Sequence, residues 1–394
     1  MSYQLHYPRK VVFGWDTRRE LPAILAEALG REGGRYVLVA GPSDRNDAVV
    51  EECREILGAP AGIYRSVTPD PELADVDGLA ELIRTVAPDA VVAIGGGSAM
   101  DVAKAGAIIG MHDDDTVEYF YGRSSFERAG LPLILLPTTA GTGTEITRNS
   151  VLTDPATKIK QSIRHPSMVA AAAIVDPHYT LTCPAHVTAA SGLDALTQAI
   201  ESYISAKATA ATRPLAREAV RLIWPALPRG VADGSDRDAR AAMAEGSMLT
   251  GLAFAQSGLG AVHGLAHPLG SLLKVTHGQT CAILLPHVLR YNASAAAADL
   301  DDLAHDLGLA CRNCLIAEIT GMLKTFGIPA TFAPLGLRPE HFPFILENCR
   351  SNSMRCTHTP LITLPRRRAR RSRQFAAHTL NCETRKHGEQ TRSD

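Results

Sequence analysis

The sequence predicts an open α/β domain with a parallel sheet, followed by an all-α domain. Three observations carry this. The first half holds short apolar runs without polar alternation. Two of these runs end in Gly- or Thr-rich turns, and after about residue 183 strand-like runs give way to Ala-rich helical periodicity.

Residues 35–40 (RYVLVA) form an apolar run that leaves into Gly41-Pro42. Residues 90–94 (AVVAI) form a second, stopped by three glycines. Residues 131–136 (LPLILL) and 171–175 (AAAIV) are the third and fourth, closed by Pro137 and by Asp176-Pro177. Uninterrupted apolar runs suit parallel strands covered on both faces. A helix is expected over 102–110, and further helices over 192–205, 214–227, 238–252 and 262–273. The expected organisation is a nucleotide-binding α/β domain over 1–183 and a helical domain over 184–364. A basic tail occupies 365–394.

The chain has 394 residues and a formal charge of −1, which gives no electrostatic case for nucleic acid or an anionic membrane. Its tail differs, with nine Lys/Arg against three acids. Few apolar residues accompany that charge, so it reads as a disordered or aberrant segment rather than a nucleic-acid arm. No apolar run reaches the length of a membrane span, and no signal peptide is seen at the start. The eight cysteines are scattered, as in a reducing cytoplasm. Cys311 and Cys314 have CxxC spacing in an expected helix without a second pair, and read as packed thiols.

Residues 90–105 (AVVAIGGGSAMDVAKA) run from a strand through Gly95, Gly96, Gly97 and Ser98 into a helix. Glycines let a backbone approach a pyrophosphate, and free N–H groups at the helix start bind its oxygens. Alone, such a turn serves equally well as a structural one. Residues 137–145 (PTTAGTGTE) form a second turn after a buried strand, and two such turns at strand ends of one sheet mark a nucleotide site.

In 192–205 (GLDALTQAIESYIS), Leu193, Leu196, Ile200 and Tyr203 form an apolar stripe, while Asp194, Gln198 and Glu201 share another face. His263 and His267 stand one turn apart in GLGAVHGLAHPLG, and His277 follows in THGQT. An acid and histidines so spaced can converge on a metal from separate helices, although each histidine alone suits an ordinary hydrogen-bonded role. Phe254, upstream, is either a pocket wall or a buried core aromatic.

These ordered segments resemble the iron-dependent (group III) alcohol dehydrogenase family. The resemblance rests on GGGSAMDVAKA, PTTAGTGTE, Asp176-Pro177, SGLDALTQAIESY and GLGAVHGLAHPLG with His277-Gly278. It implies a Rossmann-like N-terminal domain and a helical C-terminal domain, as in dehydroquinate synthase-like architectures. It also implies a homo-oligomer, dimer or larger, that interconverts a small alcohol and an aldehyde or ketone with NAD(P)(H). Asp194, His263 and His277 match the family's metal ligands, and His267 matches its proton relay, a role suited to a pKa near neutrality. Gly95, Gly96, Gly97 and Ser98 match the pyrophosphate loop. Thr138, Thr139 and Thr142 match the nicotinamide-side loop, and Lys160 matches a lysine on the cofactor's ribose.

Three departures follow. The family's fourth ligand is a histidine where this chain has Gln198, whose amide oxygen is a weaker donor, so the centre could hold Fe²⁺, Zn²⁺ or no metal. At Gly41, NAD-specific relatives often carry an Asp. Its absence, with Arg45 nearby, leans the cofactor toward NADP(H). After CTHTPL at 356–361, the arginine-rich stretch stands where a final helix is expected. The competing readings are a metal-free reductase of the maleylacetate type, a relative of dehydroquinate synthase or glycerol dehydrogenase, and a nucleotide-binding protein with a degraded metal site.

Overall fold

The computed structural model describes residues 3–349. The tail over 365–394, the segment at 356–361 and the side chain of Arg45 lie outside the described residues.

The α/β half contains strands β1 (Lys10–Phe13), β2 (Tyr36–Ala40), β3 (Gly62–Tyr64), β4 (Ala90–Gly95), β5 (Leu133–Pro137) and β8 (Ala172–Val175). They pair in the order β1-β8-β5-β4-β2-β3, every pairing parallel. Strands β2, β4, β5 and β8 are buried at every residue, because helices cover both faces of the sheet. Those helices are α1 (Leu21–Leu29), α2 (Asp47–Leu57), α3 (Leu73–Val86) and α4 (Gly97–Ile109), with a short α5 (Thr116–Phe120). The chain runs from β2 outward to β3 and then returns to the other side of β2 as β4. The strand order thus reverses at the carboxyl ends of β2 and β4, where open α/β sheets bind ligands.

Between β5 and β8 stands an antiparallel hairpin of β6 (Asn149–Asp154) and β7 (Ile159–Arg164). Sequence patterning does not foresee it, because IKQSIR carries little apolar character. Strands β1 and β3 are likewise unforeseen. They are short, lie at the sheet edges and are only half-buried.

From Ala185 onward the described chain is helical. It comprises α6 (Ala185–Tyr203), α7 (Thr212–Ala232), α8 (Arg237–Ser257), α9 (Ala261–Leu273) and α10 (His277–Asn292), then α11 (Ala297–Asp306), α12 (Arg312–Thr325) and α13 (Phe342–Asn348). Cys311 stands just before α12 rather than inside it, its sulfur 3.4 Å from that of Cys314. Helix α6 is the pivot of this half. From Gly192 to Tyr203 it is buried all round, so its polar face is packed against neighbours rather than solvated. Among the described residues no helix is long and apolar enough to cross a membrane.

Glycines join the two halves where no side chain would fit. A Cβ on Gly141 would lie 2.6 Å from Cβ of Ser191 at α6, and one on Gly143, whose φ is +57°, would lie 2.9 Å from Cα of Gly251 on α8. The Thr-rich turn after β5 is thereby pressed onto the helices that carry the acid and histidines.

Candidate active site

The turns at the ends of β2, β4 and β5 meet one another closely. A Cβ on Gly95 would approach the backbone nitrogen of Gly41 to 3.8 Å, and one on Gly96 would lie 3.6 Å from Oγ1 of Thr139. A Cβ on Gly97 would come within 2.8 Å of Cγ2 of Thr142. Thr138 donates its backbone N–H to the carbonyl of Gly95 at 2.9 Å. Helix α4 begins at Gly97, so its free N–H groups face this junction.

A buried polar network that sequence reading missed holds the turns in place. The ammonium of Lys104 on α4 is fully buried, lies 3.1 Å from Asp101 and donates to the carbonyl of Thr144 at 2.9 Å. Thr144 in turn donates its hydroxyl to Asp101, whose second oxygen accepts from the N–H of Val151 on the hairpin. Burial depresses the Lys104 pKa despite the Asp101 charge. Beside it, burial raises the Glu145 carboxyl to about 7, against the pull of Lys104.

A cleft of about 480 Å³ runs from these turns to the helical half. Gly97, Ser98 and Thr142 line one end, and Asp194, Gln198, His263, His267 and His277 line the other. Lys160 of the hairpin lies along it and pairs with Asp70 at 2.5 Å. Phe254 also faces it, as a wall. Gly41, Gly95, Gly96, Thr138 and Thr139 do not line this cleft; they stand beside it at the strand ends.

Helices α6, α9 and α10 bring Asp194, His263 and His277 together. Asp194 Oδ1 lies 3.4 Å from His263 Nε2 and 3.8 Å from His277 Nε2. The amide nitrogen of Gln198 donates to Asp194 Oδ2 at 2.9 Å, which leaves its amide oxygen buried without a hydrogen bond. Two further side chains, neither expected as part of the centre, complete the cluster. Glu201, one turn beyond Gln198, accepts from the backbone N–H of Val262 and from His263 Nδ1, both at 2.7 Å. Cys281 places its sulfur 3.8 Å from His263 Nε2 and 3.6 Å from His277 Nε2. Its spacing of four residues after His277 was the available signal, yet a lone cysteine in an apolar run reads as core.

The donor set fits a cation. A carboxylate only accepts hydrogen bonds, so Glu201 keeps the proton of neutral His263 on Nδ1 and leaves a lone pair on Nε2. That lone pair faces Asp194 Oδ1, which is buried without a hydrogen bond, as are Gln198 Oε1 and His277 Nδ1. Two acceptors facing each other in the core require a positive charge between them. Without a metal that charge is a proton. Although burial opposes it, Cys281, Asp194 and Glu201 raise the His263 pKa well above the usual imidazole value. Burial would raise Asp194, but His277 and His263 hold it below the ordinary carboxylate range. Burial, with the charges of Lys160 and His263, lowers His277 to about 4 against the pull of Asp194, while burial pushes Cys281 up to about 12.

His267 corrects one expectation. Its ring centre lies 5.7 Å from that of His277, beside the cluster. Burial first, then the charges of His277 and Lys160, push its pKa well below 6.5 rather than leaving it near neutrality.

The two halves of the chain match known families. Residues 8–177 match the family described as iron-containing alcohol dehydrogenase, and residues 188–361 match the C-terminal domain of the Fe-containing alcohol dehydrogenase family. Long-chain-alcohol dehydrogenase 1 of Geobacillus thermodenitrificans is 37% identical over 342 residues, spanning 83% of this chain and 85% of that protein. The crystal structure of a 1,3-propanediol oxidoreductase superposes with a TM-score of 0.84 at 32% identity, covering 96% of this chain and 98% of the other. Sulfoacetaldehyde reductase from Bifidobacterium kashiwanohense, solved in complex with NAD⁺, superposes with a TM-score of 0.81 at 30% identity, covering 91% and 95%. These matches, on a parallel-sheet domain joined to a helical, histidine-bearing one, define the class as oxidoreductase. The chain belongs to the iron-containing alcohol dehydrogenase family.

Proposed function

We propose that the protein reduces a small aldehyde, and oxidises the matching alcohol, with NADP(H) at a divalent metal centre in the cleft between its two halves. The observation that supports this most is the single cavity shared by the glycine turn of Gly97 and Ser98 and the cluster of Asp194, His263 and His277. Its volume suits a nicotinamide beside a short substrate.

In this reading Asp194, His263 and His277 hold the cation, and Glu201 keeps His263 in the tautomer that presents Nε2. Gly95 to Ser98 and the N-terminus of α4 bind the pyrophosphate, while Thr138, Thr139 and Thr142 flank the nicotinamide. Lys160 exchanges part of its pairing with Asp70 for a cofactor hydroxyl. When bound, the cation polarises the substrate oxygen and the nicotinamide takes or gives the hydride. His267 stays neutral at pH 7, so it accepts a proton on one ring nitrogen while donating from the other. It therefore relays the hydroxyl proton to solvent without storing a charge beside the cation. The lean toward NADP(H) draws on Gly41, which sets no carboxylate at the end of β2. The guanidinium of Arg65 lies there, donating to the carbonyl of Ser43 at 2.9 Å.

A panel of lactaldehyde, 3-hydroxypropanal, a long alkanal and an acidic aldehyde, each with NADPH and NADH, tests the proposal. Turnover should disappear on chelation and return with added metal. His263→Ala should bind cofactor yet fail to turn over. Activity indifferent to both treatments would favour the metal-free reductase. No cofactor oxidation with any aldehyde would favour a binding protein.

A further inference from the structure

The centre carries one more donor than the sequence resemblance supplies. Cys281 is fully buried on α10, one turn after His277, and its sulfur faces both imidazole Nε2 atoms. We propose that Cys281 is the fourth protein ligand of the metal centre, beside Asp194, His263 and His277, and that the resulting Asp-His-His-Cys set selects zinc. This rests on the metal-dependent reading given above.

The distances support a cage of this kind. Bonds of about 2.0–2.3 Å to a tetrahedral zinc set donor atoms roughly 3.3–3.6 Å apart. The carboxylate–imidazole separations here are 3.4 and 3.8 Å, and the sulfur–imidazole separations 3.6 and 3.8 Å. These four separations are thus within a few tenths of an ångström of tetrahedral values, and no donor pair is more than 4.8 Å apart.

Gln198 is held through its amide nitrogen, while its buried Oε1 has no hydrogen bond. Its amide nitrogen holds Asp194 Oδ2, and turning the amide over would set its oxygen against a carboxylate oxygen. It acts as a positioning residue that leaves Oδ1 aimed at the histidines. A protonated thiol has one weak donor and cannot serve both imidazole nitrogens that its sulfur faces, whereas a bound cation satisfies all three. Thiolate is a soft donor that favours zinc, whereas an amide oxygen favours harder cations.

The test is spectroscopic. Full-length protein is stripped by chelation and reloaded with Zn²⁺ or with Co²⁺ alone. X-ray absorption at the zinc edge should show one sulfur at about 2.3 Å together with nitrogen and oxygen donors at about 2.0–2.1 Å. The cobalt form should show a thiolate charge-transfer band in the near ultraviolet. That band should vanish in Cys281→Ser, with metal affinity reduced on the order of 100-fold or more. Equal anaerobic exposure to Zn²⁺ and Fe²⁺ should leave zinc bound. Stoichiometric metal with only nitrogen and oxygen donors would overturn the Cys281 assignment while leaving the metal-dependent reading intact. Aldehyde reduction by protein that binds no metal would overturn that reading itself. Should Cys281→Ser fail to fold, the unmodified protein decides alone, since a missing sulfur shell refutes the proposal.

Discussion

Glu201→Gln isolates the positioning of His263 from its presence. In the wild type, one carboxylate oxygen accepts from the Val262 N–H and the other from His263 Nδ1, each at 2.7 Å, and Glu201 is 2% exposed. Glutamine has the same shape and can still accept from Val262. Its amide NH₂ then faces Nδ1, which must become an acceptor. The ring proton moves to Nε2, the atom aimed at Asp194 and Cys281, and the lone pair that would bind a cation is lost. Removing such an outer partner lowers metal affinity by about 10–100-fold, or roughly 1.4–2.8 kcal/mol. Glu201→Ala should act differently, leaving the buried Val262 N–H unpaired at a cost of about 1–3 kcal/mol of stability. Zinc affinity measured against a chromophoric chelator, together with Tm of the stripped proteins, separates the two. If Glu201→Gln bound zinc as tightly as wild type, the tautomer argument would be wrong and Glu201 would be a structural cap on α9.

Two other perturbations probe the cofactor end. Gly41→Asp places a carboxylate at the end of β2, and the Cβ meets only the flexible Asn46 amide, at 2.9 Å. Repulsion from a 2′-phosphate should lower kcat/KM for NADPH relative to NADH on the order of 100-fold; an unchanged ratio would remove the case for NADP(H). Glu145→Gln tests the buried carboxyl raised to about 7. An unfolded glutamate titrates near 4.5, so its stabilising contribution is full below that pH and disappears as pH rises through 7. Ionising it in the fold costs about 3 kcal/mol, so the Tm of Glu145→Gln should gain on that of wild type by a few degrees between pH 5 and 8. A gap independent of pH would show that Glu145 is ionised throughout.

The parts of the fold visible in the sequence are those where one physical demand dominates locally. Strands β2, β4, β5 and β8 are covered on both faces, so their composition is apolar end to end and they stand out. Strand β3 and the β6–β7 hairpin are half-buried; β6 alternates in burial, but its inward residues Ser150, Leu152 and Asp154 are mostly polar, so the alternation does not show as hydropathy. The same division runs through the site. Asp194, His263 and His277 are legible because ordered motifs carry them. Arg65 is not, because only the parallel pairing of β3 with β2 brings it beside Gly41 from 24 residues away. Glu201 reads as one more polar residue until α9 packs against α6 and supplies Val262 and His263 as partners.

Packing also explains why three separate helices can set donor atoms to a fraction of an ångström. A Cβ on Gly278 would lie 2.4 Å from the carbonyl oxygen of Ala190 and 2.8 Å from its carbon, both backbone atoms. Neither can yield, so Gly278 lets the first turn of α10 rest directly on the chain of α6. His277 precedes that contact by one residue, Cys281 follows it by three, and Asp194 lies four residues beyond Ala190 on the opposing helix. The backbone contact therefore sets the spacing between a carboxylate on one helix and an imidazole and thiol on the other. Side-chain rotation then adjusts only the last few tenths of an ångström. Gln198, fixed to Asp194 Oδ2 on the same helix, removes even that freedom from the carboxylate.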